Sequence, residues 1–458
     1  MAALSSPGIG SGLDVNSLVS QLVTSAKTPQ QNAIDTRRNT VGAQLSAIGS
    51  LKSALSAFQD SLSSLADGSA FTQFLATASS TDHFSAIADS TAAGGTYSVD
   101  VQQLATAEKA SSGAFAANTT LSTGQLTISV GTASMTVAVG SGTGSLAQLA
   151  GAINRDANNP GVTAAVVHAA DGDHIVFTST KTGAANAFSV TGTGDVAGLS
   201  YDPATGTGGL TAVTHAQDAK LSIDGFAVTS ASNAVQGAIQ GVTINLTAVS
   251  GTTPDTLTVA ADNDSIQKAV QAFVDNYNKL VGTTRTLTSY DSGSGKSGAL
   301  LGDSTMLGIT SRLSRSLGLQ VGASGDAVRS LADLGIKFEV DGSLSLDTDK
   351  LSAALSGTPE QVKNLFGNSA GLGQSLTPML EGYLQTGGIL DGRTDSLNAS
   401  NKSLDDQQSQ LDARMDTLTT MYTAQFTKLD QLLTSLNSTS TFLTQQLSNL
   451  STGNSSSK

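Results

Sequence analysis

Residues 394–450 read TDSLNASNKSLDDQQSQLDARMDTLTTMYTAQFTKLDQLLTSLNSTSTFLTQQLSNL. Leu397, Leu404, Leu411, Leu418 and Leu432 fall on one line of sevens, broken only by Gln425. Met415, Tyr422, Leu429, Leu436, Leu443 and Leu450 make a second line, offset by four residues. Two such lines are the a and d positions of a heptad repeat, the pattern of a helix packed along another helix. No Pro or Gly interrupts the run, and a single helix of that length reaches about 85 Å. An element that long does not fit inside a compact domain, so it needs a partner helix.

The other end of the chain offers one. Ile34, Val41, Ile48, Leu55 and Leu62 recur every seven residues, with Leu51, Phe58 and Leu65 as the companion line. Pro29 is expected to start this helix, where its missing N–H costs nothing, and Gly68 to end it. The positions flanking both seams are mostly Ser, Thr, Asn and Gln rather than Glu and Lys. Such residues add little helix propensity. The termini are therefore expected to be loose in isolation and to become helical when chains assemble.

Composition narrows the function classes. The 458 residues carry 23 basic and 36 acidic side chains, a net charge of −13, with no basic patch. Nucleic acid is an unsuitable partner, because phosphate binding needs clustered Lys and Arg. Charged residues are only 13%, about half the usual share, with Ser, Thr, Gly and Ala in their place. There is no cysteine, which excludes disulfides, zinc-thiolate sites and a cysteine nucleophile. Met1 to Asp14 lacks a basic start and an apolar core, so no Sec-type signal is expected. No run of 18 apolar residues exists, so no membrane-spanning helix is expected.

Glycines at 8, 10 and 12 precede Asp14, a suitable N-cap for a short helix carrying Leu18, Val19, Leu22 and Val23. From Phe71 onward the period changes to that of strands. Residues 96–101 alternate, and 126–130 with 135–139 read as a hairpin. Ser145 to Asp156 reads as a short helix. Residues 162–168 and 174–178 form another hairpin about Asp171-Gly172-Asp173. A second, weaker β unit follows: 221–228 on an Asp-Gly turn, then 232–235 and 241–246. The Gly/Thr/Asp-rich stretch Thr191 to Gly209 reads as a linker between the two. Helical pattern returns at Asp264 with Ile266, Val270, Phe273, Val274, Tyr277, Leu280 and Val281. A hairpin at 336–346 precedes a helix capped by Asp347, and Thr358 is expected to cap the next, with Pro359 at its first position.

The search for chemistry finds little. His168 and His174 flank a tight turn and could share a metal, but exposed polar residues are the simpler reading. Gly295-Lys296-Ser297 resembles the tail of a phosphate-binding loop, yet Tyr290 stands where the first glycine belongs. Gly192-Thr193-Gly194 matches a dinucleotide fingerprint only on paper, since it runs into Gly198 and Pro203 rather than a helix. The paired carboxylates of Asp347 and Asp349 are explained by capping. No catalytic, cofactor or metal site is expected, and the protein is not read as an enzyme.

Gly10-Ser11-Gly12-Leu13-Asp14-Val15-Asn16-Ser17-Leu18-Val19 resembles the start of the bacterial flagellar cap family, also called hook-associated protein 2. Similar matches lie at Gly95-Thr96-Tyr97-Ser98-Val99, Gln103-Leu104-Ala105, Phe273 to Leu280, Leu301 to Thr305, Leu334-Gly335-Ile336 through Leu346-Asp347, Phe426 with Leu429-Asp430, and Gln446-Leu447. The units at 124–190 and 219–248 look like the flagellin/hook insertion motif. Lys27 departs from the acidic residue that such proteins often carry there. The resemblance spans essentially the whole chain.

That resemblance implies a multidomain α+β protein with long coiled-coil helices from both termini, a mainly helical domain and two inserted β-rich domains. The chain then divides into terminal legs (1–45 with 394–458), a helical stalk domain (46–70 with 263–393), a β-rich head (71–118 with 216–262) and an inserted outer head (119–215). Such proteins leave the cell through the flagellar type III export channel and form a ring of roughly four to six subunits at the filament tip. There they retain exported flagellin and promote its folding. Implied partners are the protein itself, flagellin, the hook–filament junction protein, an export chaperone and, for some members, host mucin. Assembly residues are expected in the N-terminal motif (Leu13, Asp14, Leu18, Leu22) and along the seams (Ile34, Val41, Ile48, Leu55, Leu404, Leu411, Leu418, Tyr422, Leu429, Leu436, Leu443). A flagellin or junction-type protein, or a surface adhesin, is the alternative.

Overall fold

The computed structural model describes residues 14–140, 143–367 and 369–453. Leu13, expected at the assembly surface, lies outside them. The chain forms two compact units, one from residues 68–266 and one from its two ends.

The first helix, α1 (Val15–Ala66), begins where Asp14 accepts a hydrogen bond from the Ser17 N–H at 3.0 Å. It stops at Asp67 and Gly68, whose φ of 81° is a left-handed conformation that glycine adopts without strain.

In the unit of residues 68–266 the strands are β1 (Phe74–Ala78), β2 (Phe84–Ala88), β3 (Gly95–Gln103), β4 (Lys109–Ser112), β5 (Gly124–Val130) and β6 (Ala133–Val139). Helix α2 (Leu146–Arg155) comes next, started by the Ser145 hydroxyl. There follow β7 (Val162–Ala169), β8 (Gly172–Ser179), β9 (Phe188–Gly192), β10 (Tyr201–Asp202), β11 (Thr207–Gly208) and β12 (Leu210–Thr214). The last are β13 (Ala219–Ile223), β14 (Phe226–Ser230), β15 (Ala234–Ile239), β16 (Val242–Leu246) and β17 (Asp255–Ala261). The strands build sheets β1-β17-β3-β13-β14, β15-β16-β2, β11-β10-β9-β5-β6 and β12-β4-β8-β7.

Two separate apolar cores result. One gathers Phe84, Val99, Val101, Leu221, Ile244 and Leu257 from the first two sheets. The other gathers Leu126, Ile128, Leu149, Ile175, Phe177, Phe188 and Tyr201 from the last two sheets and α2. Alternation explains both: Leu126 and Ile128 point inward from β5 while the Thr127 hydroxyl meets Thr136 on the outer side. The Asp224-Gly225 turn has φ of 50° and 86°, the double positive φ of the tight turn that matches strand twist.

Residues 191–209 are not a linker. They hold the end of β9, a 3-10 turn (Gly194–Leu199), β10 and β11, and they place Val196, Leu199 and Tyr201 in the second core. The glycines that suggested flexibility serve close packing instead. A Cβ at Gly192 would lie 1.9 Å from the Val196 carbonyl oxygen, and one at Gly209 would lie 1.9 Å from that of Gly198. Asp195 accepts from the N–H groups of Ser122 and Thr123, tying the turn to the start of β5.

The second unit continues with α3 (Asn263–Thr288), the two-residue strands β18 (Tyr290–Asp291) and β19 (Lys296–Ser297), α4 (Ser304–Leu317), β20 (Ile336–Phe338) and β21 (Leu344–Leu346). Then come α5 (Thr348–Gly357), α6 (Pro359–Phe366), α7 (Leu372–Leu384) and α8 (Ile389–Gly453). Gly295-Lys296-Ser297 thus sits in an exposed hairpin with Tyr290-Asp291, and no helix directly follows it. An aromatic cluster holds the unit: Phe273 lies 5.2 Å from Phe58 of α1 and 5.6 Å from Phe366 of α6, edge-on to the latter. Asp347 caps α5 as expected, and Thr358 holds the N-cap position of α6 before Pro359, but its hydroxyl makes no capping bond and donates back to the Ala354 carbonyl.

Pro29 does not begin a helix. It lies inside α1, on an exposed face, and the helix runs through it. A proline in a helix interior removes one backbone bond and costs about 3 kcal/mol. Contacts to α8 on both sides of it, through Lys27 and Gln31, hold the two segments in line.

Candidate functional site: the terminal helix pair

α1 and α8 run antiparallel, because successive contacts join Lys27 to Asp412, Gln31 to Gln408, Arg38 to Asp405 and Lys52 to Asp391. Between them Ile34, Leu404, Leu411 and Met415 form a buried strip, with Val23, Val41 and Leu418 packed partly against it. Further along α1, Ile48 and Leu55 are buried with Leu51, Phe58, Leu62 and Leu65. These are the heptad positions, and each Leu so buried contributes about 1.5–3 kcal/mol.

One flank of the seam is polar and internally satisfied. Lys27 approaches Asp412 at 2.7 Å, Arg38 approaches Asp405 at 2.8 Å, and the amides of Gln31 and Gln408 exchange hydrogen bonds. The Lys27 ammonium, and then the Gln408 amide, hold the Asp412 carboxyl below the usual carboxylate range.

Burial then fades along α8. Leu404 and Leu411 are each 4% exposed, whereas Leu429 is 42%, Leu436 56% and Leu443 55% exposed. The repeat continues without a partner among the described residues. Phe442 and Leu447 join the exposed face; neither lies on the two heptad lines, so the period alone did not single them out. At the other end Val15 and Val19 are buried, Leu18 and Tyr422 are half-buried, and Leu22 is 44% exposed. Of the expected assembly residues, Ile34, Ile48, Leu55, Leu404 and Leu411 pack within the chain, Leu18, Val41, Leu418 and Tyr422 are half-buried, and Asp14, Leu22, Leu429, Leu436 and Leu443 face solvent.

The histidines are engaged with carboxylates. His168 meets Asp173 at 2.5 Å, and His174 lies 3.1 Å from Asp171 and 2.8 Å from the Ser112 carbonyl. Among the described residues no three His, Asp or Glu side chains gather where a metal ion could be held. No described helix is long and apolar enough to cross a membrane.

Comparison with known proteins agrees with this architecture. The family models "Flagellar hook-associated protein 2 N-terminus" and "Flagellar hook-associated protein 2 C-terminus" match residues 11–108 and 216–438, and "Flagellin hook IN motif" matches 125–181. The A-type flagellar hook-associated protein 2 of Pseudomonas aeruginosa is 35% identical over 443 residues, covering 92% of each chain. The flagellar hook-associated protein 2 of Escherichia coli K12 is 35% identical, covering 93% of this chain and 94% of that one. The crystal structure of the D1-D2-D3 domains of the flagellar cap protein FliD from Escherichia coli superposes with a TM-score of 0.63 at 31% identity, over 77% of this chain and 99% of that one. With helical ends, β-rich insertions and relatives matched along nearly their whole length, the chain belongs to the flagellar hook-associated protein 2 family, the flagellar filament caps.

Proposed function

We propose that this protein forms a homo-oligomeric ring at the tip of the growing filament, retains exported flagellin beneath it and promotes its folding into the lattice. The observation that carries this reading is the solvent-facing heptad face of α8, Leu429, Leu436 and Leu443, beyond the seam closed within the chain. A monomer gains nothing from such a face, whereas a leg seated among filament subunits buries it. Residues 1–45 with 394–458 are then the legs, 46–70 with 263–393 the stalk, and 71–262 the two-part head. Export through the flagellar channel in unfolded form suits a chain without cysteine. Flagellin, the hook–filament junction protein and an export chaperone are the partners this role requires.

Deleting the gene from its own bacterium and assaying the medium tests the role. The expected result is monomeric flagellin in the medium with hooks intact, restored to filaments by the wild-type gene. Normal filaments in the deletion strain would contradict it and leave surface adhesion as the leading role.

A further inference from the structure

The two cores of residues 68–266 have no residue in common. The Phe177 module is reached by the chain at Glu108-Lys109 and left at Thr214-His215-Ala216, and these two crossings lie side by side, because Thr106 and Gln217 exchange backbone hydrogen bonds at 3.0 and 3.2 Å. Besides these crossings, polar contacts join the modules. Gly183 N–H donates to Thr106, Ala184 N–H to the Asp218 carboxylate, and the Thr182 hydroxyl to the Ala231 carbonyl. Interfaces of this kind, small and polar between separate cores, are the ones about which domains move.

At the centre of the junction sits Glu108, a carboxylate only 1% exposed. One of its oxygens accepts from the Tyr201 hydroxyl, whose ring packs 5.7 Å from Phe188 in the core of the Phe177 module. The other accepts from the Ala216 N–H at 2.6 Å, on the returning crossing. Its own carbonyl accepts from Ser179. Nearby, the His215 imidazole lies 3.7 Å away and is 66% exposed. Burial, with the adjoining carboxylate second, pushes the Tyr201 phenol upward, so it remains the donor. A buried carboxylate is costly unless every lone pair is used. Here its two bonds join the outgoing crossing, the returning crossing and the module's core at one point.

We propose that the Phe177 module pivots as a rigid body about this junction, and that the Glu108 carboxylate is the latch that holds it in one orientation. Neither core has to open for the module to tilt; the latch and the polar contacts of the junction are exchanged for water instead.

The chain's lack of cysteine makes the test clean. Spin labels at Ala204→Cys on the Phe177 module and Gln240→Cys on the other report the distance distribution between them in the full chain. Wild type is expected to give one narrow distribution. Glu108→Ala should broaden it at least twofold while the amides of β5 and β9 stay protected from hydrogen exchange. Tyr201→Phe, which keeps the core filled and removes a single latch bond, should broaden it less. An unchanged distribution in both variants would overturn the proposal. So would broadening that appears only together with lost protection of β5 and β9, since Glu108 would then stabilise the module's fold rather than its orientation.

Discussion

The seam from Leu397 to Met415 and the stretch from Leu429 to Leu447 lie on one helix and carry the same repeat, yet the first is buried and the second faces solvent. A heptad pattern specifies which face of a helix is apolar, not which chain covers it. In the first stretch α1 supplies the cover, together with a ladder of Lys27, Gln31 and Arg38 against Asp412, Gln408 and Asp405. In the second stretch the same Leu spacing is kept by a helix rich in Ser, Thr and Gln. Identical spacing thus closes a seam within the chain in one half and leaves an exposed apolar face in the other, the face we propose serves association.

That contrast can be attacked by substitution. Leu411→Ala, in the buried half, should cost about 2–5 kcal/mol of chain stability, as large-to-small changes in cores do, measured by denaturant unfolding. The pair Leu436→Ser and Leu443→Ser should change the stability of the isolated chain by less than about 0.5 kcal/mol. It should nonetheless weaken attachment to filament tips at least about tenfold, the equivalent of about 1.4 kcal/mol. If both pairs of measurements moved together, the two halves would not differ in kind.

Smaller effects test the flank and the outlying hairpin. Because Lys27 holds Asp412 below its ordinary value of 3.8, the stability from this contact is present above that value. It is lost as the pH falls through the depressed folded value. Protection of the α1 amides around Lys27, taken relative to the intrinsic exchange rate at each pH, should therefore fall between about pH 6 and about pH 2.5, and Lys27→Met should flatten that response. His174 behaves with the opposite sign. The Ser112 carbonyl, and then Asp171, raise it above its ordinary value of 6.5. Its contribution is complete below that value and lost as the pH rises through the folded one. The β7–β8 turn should open more readily at about pH 8.5 than at about pH 6, and His174→Gln should remove the difference.

Much of this was legible in the sequence, and the exceptions have physical causes. The heptad lines, the Asp-Gly hairpin at 224–225 and the Asp14 and Asp347 caps are local signals, and the chain obeys them. Thr191 to Gly209 misled because a glycine required for a 1.9 Å approach looks, in one dimension, like a glycine required for flexibility. Pro29 misled because a helix fastened on both sides tolerates one missing bond. Helices α4 and α7 escaped notice because Gly308 and Pro378 interrupt their patterns, and burial of Ile309, Leu313, Leu376 and Leu380 outweighs those interruptions. Glu108 was invisible for a different reason. Its partners Tyr201 and Ala216 lie 93 and 108 residues away, and no local pattern announces them. The exposed end of α8 was marked as apolar by its sequence, but its lack of a partner among the described residues required the structure.

The central claim is that one repeat is closed within the chain and then left open for neighbours. Single cysteines at Leu404 and Leu436, in a protein that has none of its own, make the direct measurement: thiol labelling rates in the isolated chain and in filaments carrying it at their tips. Leu436→Cys should label rapidly in the isolated chain and slowly at the tip, with Leu404→Cys slow in both. Equal labelling of Leu436→Cys in the two states would contradict the account.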